Sequence, residues 1–145
     1  MKKIIMIAAI ALLAVACNKN QAAVKKLDGT WKITSLNSEF DGTQIEAIGL
    51  ILESGSMTFD GCKLKDDEFC TMTTTLKASA LLGGATETDT YLYAVTDDGT
   101  KLQQKEDASS TTINVIEIVE LTGSTGEFKQ TDSDGAVTTI KVEKQ

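Results

Sequence analysis

Acidic side chains are the groups that could give this chain enzymatic chemistry, because paired carboxylates act as acid and base in glycoside hydrolysis. The sequence has no histidine, which is the usual general base near neutral pH and the commonest zinc ligand. It also has no Gly-x-Ser-x-Gly elbow and no phosphate-binding loop. Its carboxylates cluster in segments typical of solvated turns, namely Asp66, Asp67 and Glu68, Asp97 and Asp98, and Asp132 and Asp134. We therefore expect a protein that is not an enzyme and needs no cofactor.

One acidic segment, Asp132-Ser133-Asp134-Gly135, is similar to the beginning of a calcium-binding loop. A complete loop needs a third ligand before the glycine and a distal glutamate, and neither stands at the required spacing. The segment is therefore predicted to be a turn, and no metal site is expected.

The first residues have the pattern of an export signal. Residues 1–3 form a short basic segment. Residues 4–15 form an apolar run that has the length of a signal-peptide core and is too short to span a bilayer. Small residues then precede Cys17, and a signal peptidase accepts such residues before its cleavage point. These residues are Ala14, Val15 and Ala16.

This arrangement resembles the lipobox of bacterial lipoproteins, in which the cysteine is acylated and the leader is removed before it. The resemblance implies a signal peptide over residues 1–16, a lipidated Cys17 carrying palmitate-type chains, and a polar tether completing residues 17–26. Ordinary secretory cleavage after Ala16 is the alternative. Asn18, rather than aspartate, follows the cysteine. The implied location is therefore the outer membrane, facing the periplasm, with the membrane as partner through the lipid on Cys17.

The charge of the chain excludes one class of partner. The formal net charge is −7, and every basic residue is lysine. Nucleic-acid binding depends on clustered lysine and arginine against phosphate, so no nucleic-acid partner is expected.

Two cysteines remain beside Cys17, an even number that suits an oxidising compartment. If the intervening segment is a hairpin that turns at Asp66, Cys62 and Cys70 lie opposite one another at disulfide distance. A structural disulfide is preferred, and two free buried thiols are the alternative.

Asp-Gly pairs, which favour tight turns, divide the chain at positions 28–29, 41–42, 60–61, 98–99 and 134–135. The segments between them are rich in threonine, valine, isoleucine and aromatic residues, which indicates an all-β meander of about eight strands. The predicted strands are residues 30–36, 56–64, 69–77, 91–96, 101–106, 111–121, 126–132 and 137–143. Residues 43–52 have helical spacing and are predicted as a short helix, whereas residues 78–85 fit either a helical turn or a loop.

Short motifs between residues 27 and 142 resemble the lipocalin-like domains of bacterial lipoproteins. The segment Leu27-Asp28-Gly29-Thr30-Trp31-Lys32-Ile33 is similar to their Gly-x-Trp strand, and Met57-Thr58-Phe59-Asp60-Gly61 to their second strand. Residues 91–102 match their tyrosine strand, Asp-Gly turn and leucine strand, and residues 116–128 match the next two strands. The resemblance implies a single lipocalin-like domain over residues 27–145, a barrel or half-open barrel.

A barrel of that size either fills with side chains or holds one small ligand. The first function hypothesis is a membrane-anchored, non-enzymatic protein that binds a small apolar ligand or lipid. Its expected ligand-binding residues line the barrel interior: Trp31, Ile33, Phe59, Met72, Tyr91 and Tyr93. The second hypothesis is a protein-interaction, inhibitor or envelope-structural module with a filled core, which uses the threonine-rich strand face or the acidic turns. For Trp31, an ordinary core tryptophan is the alternative interpretation.

Overall fold

The computed structural model describes residues 19–64 and 68–145. The predicted signal peptide, the lipidation of Cys17 and the turn at Asp66 lie outside the described residues. Nine strands are present in the described parts of the chain. They are β1 (Gly29–Phe40), β2 (Thr43–Glu46), β3 (Leu52–Phe59), β4 (Cys70–Ala78), β5 (Thr86–Thr96), β6 (Lys101–Lys105), β7 (Asn114–Leu121), β8 (Thr125–Thr131) and β9 (Val137–Lys144).

Eight of these strands close into an antiparallel barrel. Strands β3 to β9 follow one another in chain order, and β1 pairs with both β3 and β9, which closes the ring. Strand β2 pairs with the far half of β1 and extends it as a hairpin. Side chains alternate across each strand, so one set of alternate positions fills the interior. The prediction of an all-β, antiparallel meander that forms a lipocalin-like barrel is confirmed.

A helical segment, α1 (residues 19–27), lies across the end of the barrel where β1 begins. Its inner face is buried in the core, with Val24 and Leu27 fully buried and Ala23 only 7% exposed. The sequence analysis expected a polar tether up to residue 26, and the structure differs over residues 19–26. Apolar residues at helical spacing on one face explain the difference, because burying them stabilises the helix against the barrel. We call this end of the barrel the closed end.

Among the described residues, no helix has the length and apolar character needed to cross a membrane.

The predicted short helix over residues 43–52 is wrong. Residues 43–46 form β2, and a turn follows before β3 begins at Leu52. Asp41 and Gly42 have φ angles of 49° and 74°, the left-handed pair that a two-residue hairpin turn requires. This turn sends the chain back along β1, so the apolar residue Ile45 lies on a strand and is half exposed.

The Glu46 side chain links β1 to the turn after β2. The contact lies on the part of β1 that no longer pairs with β3. Its carboxylate accepts hydrogen bonds from the Ser35 hydroxyl, from the Leu36 N–H at 2.8 Å and from the Ile48 N–H at 3.1 Å. These bonds, the one from Ser35 first, hold the pKa of Glu46 below its usual value of 4.5. The carboxylate thus accepts the Leu36 N–H of β1 and connects this strand to the turn after β2.

Because the folded state lowers the pKa of Glu46, its carboxylate stabilises the fold above pH 4.5, and this contribution is lost as the pH falls. We expect Glu46→Gln to lower the free energy of unfolding at pH 7 by about 1 kcal/mol. The difference from wild type should shrink at pH 3. Urea denaturation at both pH values measures it, with Glu120→Gln as the control at an exposed glutamate. An unchanged difference at pH 3 would contradict this assignment.

The segment over residues 78–85, for which a helical turn and a loop both remained open, contains a 3-10 helix at Ala80–Leu82. A second 3-10 helix, Asp97–Gly99, turns the chain between β5 and β6.

The predicted disulfide between Cys62 and Cys70 is present, with 5.6 Å between the Cα atoms. The expected strand boundaries differ, because β3 ends at Phe59 and Cys62 therefore lies in the loop rather than on a strand. Pairing of Phe59 with Met72 fixes the register, so continued pairing would place Gly61, not Cys62, opposite Cys70. The disulfide connects this loop to the closed end of the barrel.

Replacing both cysteines with serine should lower the free energy of unfolding by about 2–3 kcal/mol, because the bridge closes a short loop. Urea denaturation of the double variant, and of wild type with and without reductant, measures the loss. Reduced wild type should match the double variant. A reductant effect that persists in the double variant would show that the loss has another origin.

Candidate functional site

The six expected ligand-binding residues occupy two levels of the barrel. Five of them belong to the main hydrophobic core and are at most 2% exposed, so neither solvent nor a water-sized void reaches more than a trace of their surface. These five are Trp31, Ile33, Phe59, Met72 and Tyr93. Tyr91 is half-buried at the edge of the same core. At the level of the five, near the closed end, side chains fill the interior.

The polar atoms at this lower level already have partners within the chain. The Trp31 indole N–H donates to the Leu27 carbonyl oxygen at 2.6 Å, and the Tyr93 hydroxyl donates to the Asp60 carbonyl oxygen at 3.1 Å. Burial, with a smaller effect of the charges on Asp28 and Asp60, raises the pKa of Tyr93 far above its usual value of 10. Its hydroxyl therefore stays neutral.

Aromatic packing completes the lower level. The Phe59 ring meets the Tyr93 ring edge to face with 5.3 Å between centroids, and it lies 6.3 Å from the Phe128 ring. The Lys144 ammonium stands 5.3 Å from the centre of the Trp31 ring. A ligand at this level would have to displace contacts of the core itself.

Burial decreases along the barrel axis from this level to the far end, which we call the open end. Strand pairing gives the direction of the side chains: Met72 pairs with Tyr91, and the next inward positions are Thr74 and Leu76 on β4. Leu76 and Tyr91 are half-buried against the core, as are Leu36 on β1 and Ile140 on β9. These four apolar side chains, Leu36, Leu76, Tyr91 and Ile140, form what we call the apolar ring.

Two glutamine side chains also face the barrel interior. Gln104 pairs with Tyr93, and Gln130 pairs with Thr138, so both glutamines face inward. Both are half-buried, and within the described parts of the chain neither side-chain amide makes a hydrogen bond. An inward-facing, half-buried amide without a partner retains its capacity to hydrogen-bond. The two amides can therefore orient a polar group of a bound molecule.

Carboxylates follow Tyr91 at the next inward positions of β5. Asp89 pairs with Thr74 and Glu87 pairs with Leu76, which puts both on the inward face, where the strand leaves the barrel and both residues are exposed. Burial raises the pKa of Tyr91, and the negative charges of Asp89 and Glu106 raise it further. These carboxylates thus lie within electrostatic range of the Tyr91 hydroxyl.

The sequence analysis missed most of the open-end residues. Thr74 and Leu76 were within reach of sequence reasoning, because they continue the alternation of Cys70 and Met72 along one strand. Gln104 and Gln130 carried no comparable signal, since a glutamine at the end of a strand normally faces water. Among the described residues, no group of three or more histidine, cysteine, aspartate or glutamate side chains could hold a metal ion.

Comparisons with known proteins agree with this architecture. No protein-family model matches the chain, and no curated protein matches it. Among solved structures, the chain is similar to a redesigned β-barrel with a TM-score of 0.54 and 16% identity, over 85% of this chain and 95% of that one. It is also similar to a bovine odorant-binding protein in complex with a selenium-containing odorant. For that structure the TM-score is 0.44 and the identity 17%, over 84% of this chain and 73% of that one.

The first comparison shows the fold and the second adds no argument beyond it. The class that fold and pairing define is an eight-stranded, up-and-down antiparallel β-barrel, the architecture of the lipocalins. Its activity is a separate question, because one fold serves many functions.

Proposed function

We propose that this chain is a membrane-anchored, non-enzymatic barrel protein that binds a small apolar ligand or lipid at the open end. One observation carries the proposal: burial is graded along the barrel axis. The closed end is covered by α1 and filled, whereas inward-facing side chains become half-buried and then exposed toward the other end. Ligands of small barrels bind in the mouth, where apolar walls and a few polar groups meet.

The residues at the open end indicate the chemistry of the ligand. The apolar ring offers a hydrophobic wall, and the amides of Gln104 and Gln130 offer donors and acceptors without partners in the described chain. Such a set fits a small molecule with an apolar body and one polar group. Tyr91 would contact this ligand, while Trp31, Ile33, Phe59, Met72 and Tyr93 would form the rigid floor beneath it.

Titration with N-phenyl-1-naphthylamine, a neutral fluorescent probe, tests this proposal. We expect saturable binding to wild type and a loss of at least tenfold in affinity for Thr74→Phe, because the added ring would project inward beside Leu76 and Tyr91. Thr75→Phe is the matched control, since Thr75 neighbours Thr74 on the same strand but faces outward. Unsaturable binding, or equal binding to both variants, would contradict the proposal.

The anchor is the second part of the proposal: Cys17 carries the lipid and holds the protein at the outer membrane, facing the periplasm. Support comes from the leader pattern in the sequence and from the position of α1, whose described residues begin two positions after Cys17 and cover the closed end. Anchored in this way, the barrel would direct its open end away from the membrane.

Mass spectrometry of the N-terminal peptide from membrane-extracted protein tests the anchor. We expect an acylated peptide that begins at Cys17, and release of Cys17→Ser from the membrane fraction, since stable anchoring needs at least two acyl chains. An unmodified peptide beginning at Cys17 would instead indicate ordinary secretory cleavage.

A second candidate function is an interaction module with a filled core, and the packing of the lower level favours it. The outer wall offers a surface for such a role, where Thr73 faces Thr90 and Thr75 faces Thr88 in cross-strand pairs with hydroxyl oxygens 3.5 and 3.1 Å apart. Cross-linking in intact envelopes, with Thr73→Lys and Thr75→Lys as variants, tests it. A specific product that both variants abolish would support this function over ligand binding.

A further inference from the structure

Large apolar side chains are exposed together at the open end. Leu81 is 93% exposed, Leu82 and Leu50 are each 61% exposed, and Ile51 is 43% exposed. The Ser79 N–H donates to the Ile51 carbonyl oxygen at 2.9 Å, so the turn before β3 and the connection before β5 are neighbours. These four exposed residues therefore lie on two adjacent connections at the open end.

The β1–β2 hairpin adds two exposed apolar side chains to this group. Phe40 and Ile45 are 59% and 50% exposed. Leu36 and Ser38 face the interior, and Phe40 follows at the next alternate position, while Ile45 pairs with Ser38. Both apolar side chains thus lie on the hairpin face that points toward the barrel axis. We call the six residues the apolar rim: Phe40, Ile45, Leu50, Ile51, Leu81 and Leu82.

Carboxylates surround the apolar rim. They come from several connections at this end of the barrel and from the start of β5, and the six that border the opening are Asp41, Glu87, Asp89, Glu106, Asp132 and Asp134. Lys77, at the same end, is already paired with Glu53 at 2.9 Å. In the described residues, none of these six carboxylates is in an ion pair. The open end is therefore apolar and strongly negative at once.

From this combination we infer that the apolar rim is a docking surface for a basic amphipathic polypeptide segment. Leucine and isoleucine side chains of such a segment would cover the rim, and its lysine or arginine side chains would meet the carboxylates. A second copy of this chain is disfavoured, because docking rim to rim would bring like charges together. An anionic lipid surface is disfavoured for the same reason. The inference goes beyond the proposed small ligand and does not require it.

The probe for the test is a short synthetic helical peptide made of lysine and leucine, labelled for fluorescence anisotropy against the full mature protein. We expect Leu81→Ser with Leu82→Ser to weaken binding by about tenfold or more, because two exposed leucines lose their contacts. Glu87→Gln with Asp89→Asn should weaken binding by about threefold and reduce its salt dependence. Both pairs are exposed, so thermal melts should stay at the wild-type value.

Matched controls come from the outer face of β7. Val115 and Val119 are each 50% exposed, and Val115→Ser with Val119→Ser removes comparable apolar surface that is not part of the rim. Glu117→Gln with Glu120→Gln removes the same charge as the rim pair. Both controls should bind the lysine–leucine peptide within about twofold of wild type. A peptide of lysine and serine should bind at least tenfold more weakly than the lysine–leucine peptide.

Several outcomes would overturn the inference. Peptide binding that control and rim variants weaken equally would do so, and so would tight binding of the lysine–serine peptide. Binding to phosphatidylglycerol vesicles, or self-association in sedimentation, would also do so if the rim variants reduced it. Thr74→Phe separates this inference from the proposed small ligand, because it should weaken binding of the neutral probe at least tenfold while leaving peptide binding unchanged. Failure of either proposal is thus visible without failure of the other.

Discussion

Replacing Trp31 with alanine should lower the free energy of unfolding by about 3–5 kcal/mol, among the largest losses that a core substitution produces. Trp31 has no exposed surface, its indole N–H donates to the Leu27 carbonyl oxygen at 2.6 Å, and the Lys144 ammonium lies over its ring. The substitution therefore leaves a large cavity and an unpaired carbonyl oxygen where the barrel meets α1. Urea denaturation followed by circular dichroism measures the loss.

Trp31→Phe is the matched control, because it keeps most of the ring volume and removes the indole N–H. We expect a smaller loss of about 1–3 kcal/mol, mainly from the unsatisfied carbonyl oxygen. A loss below about 1 kcal/mol for Trp31→Ala would mean that Trp31 is not part of a packed floor.

Leu27→Ala should lower the free energy of unfolding by about 2–5 kcal/mol. Leu27 is fully buried at the end of α1 and also supplies the carbonyl oxygen that accepts the Trp31 N–H. Truncating its side chain removes core contacts that hold α1 to the barrel. The same urea experiment measures the effect, and amide hydrogen exchange in α1 should rise.

Lys25→Ala is the control within the same helix, since Lys25 is exposed on its outer face. We expect a change within about 0.5 kcal/mol. Equal losses in the free energy of unfolding at positions 25 and 27 would contradict the docking of α1. They would favour the polar tether that was predicted from the sequence.

The strands were predictable where turn residues and alternation agreed. Asp98-Gly99 and Asp134-Gly135 separate strands as expected, and the later strands lie within a few residues of their predicted bounds. The hairpin at Asp41-Gly42 was missed although its turn signal was identified. The apolar spacing of Ile45, Ile48 and Leu52 suggested a helix there, but pairing with the long strand β1 was the stronger constraint.

Two further features depend on tertiary contacts that a single sequence does not reveal. A bulge between Ile33 and Ser35 shifts the alternation of β1, so Leu36 rather than Ser35 faces the interior. Residues 19–26 looked polar enough for a tether, yet Ala23 and Val24, with Leu27, supply one apolar face that packs against the closed end of the barrel.

For the site, the sequence identified the interior but not the level at which a ligand could bind. Trp31, Ile33, Phe59, Met72, Tyr91 and Tyr93 all lie in or against the core, as their alternation predicted. How far a barrel fills depends on the volumes of facing side chains from all eight strands, together with the helix that covers one end. Working out which side chains fill the interior therefore requires the register of every strand pair. The bulge in β1 alone changes which residues of that strand face inward.

Native mass spectrometry of the protein purified from an envelope fraction tests the central claim most directly. We expect wild type and Thr75→Phe to carry a reproducible extra mass that organic extraction removes, and Thr74→Phe to be bare. This result would identify a carried small molecule at the open end. A bare wild-type protein, or an extra mass retained equally by Thr74→Phe, would contradict ligand binding at that end.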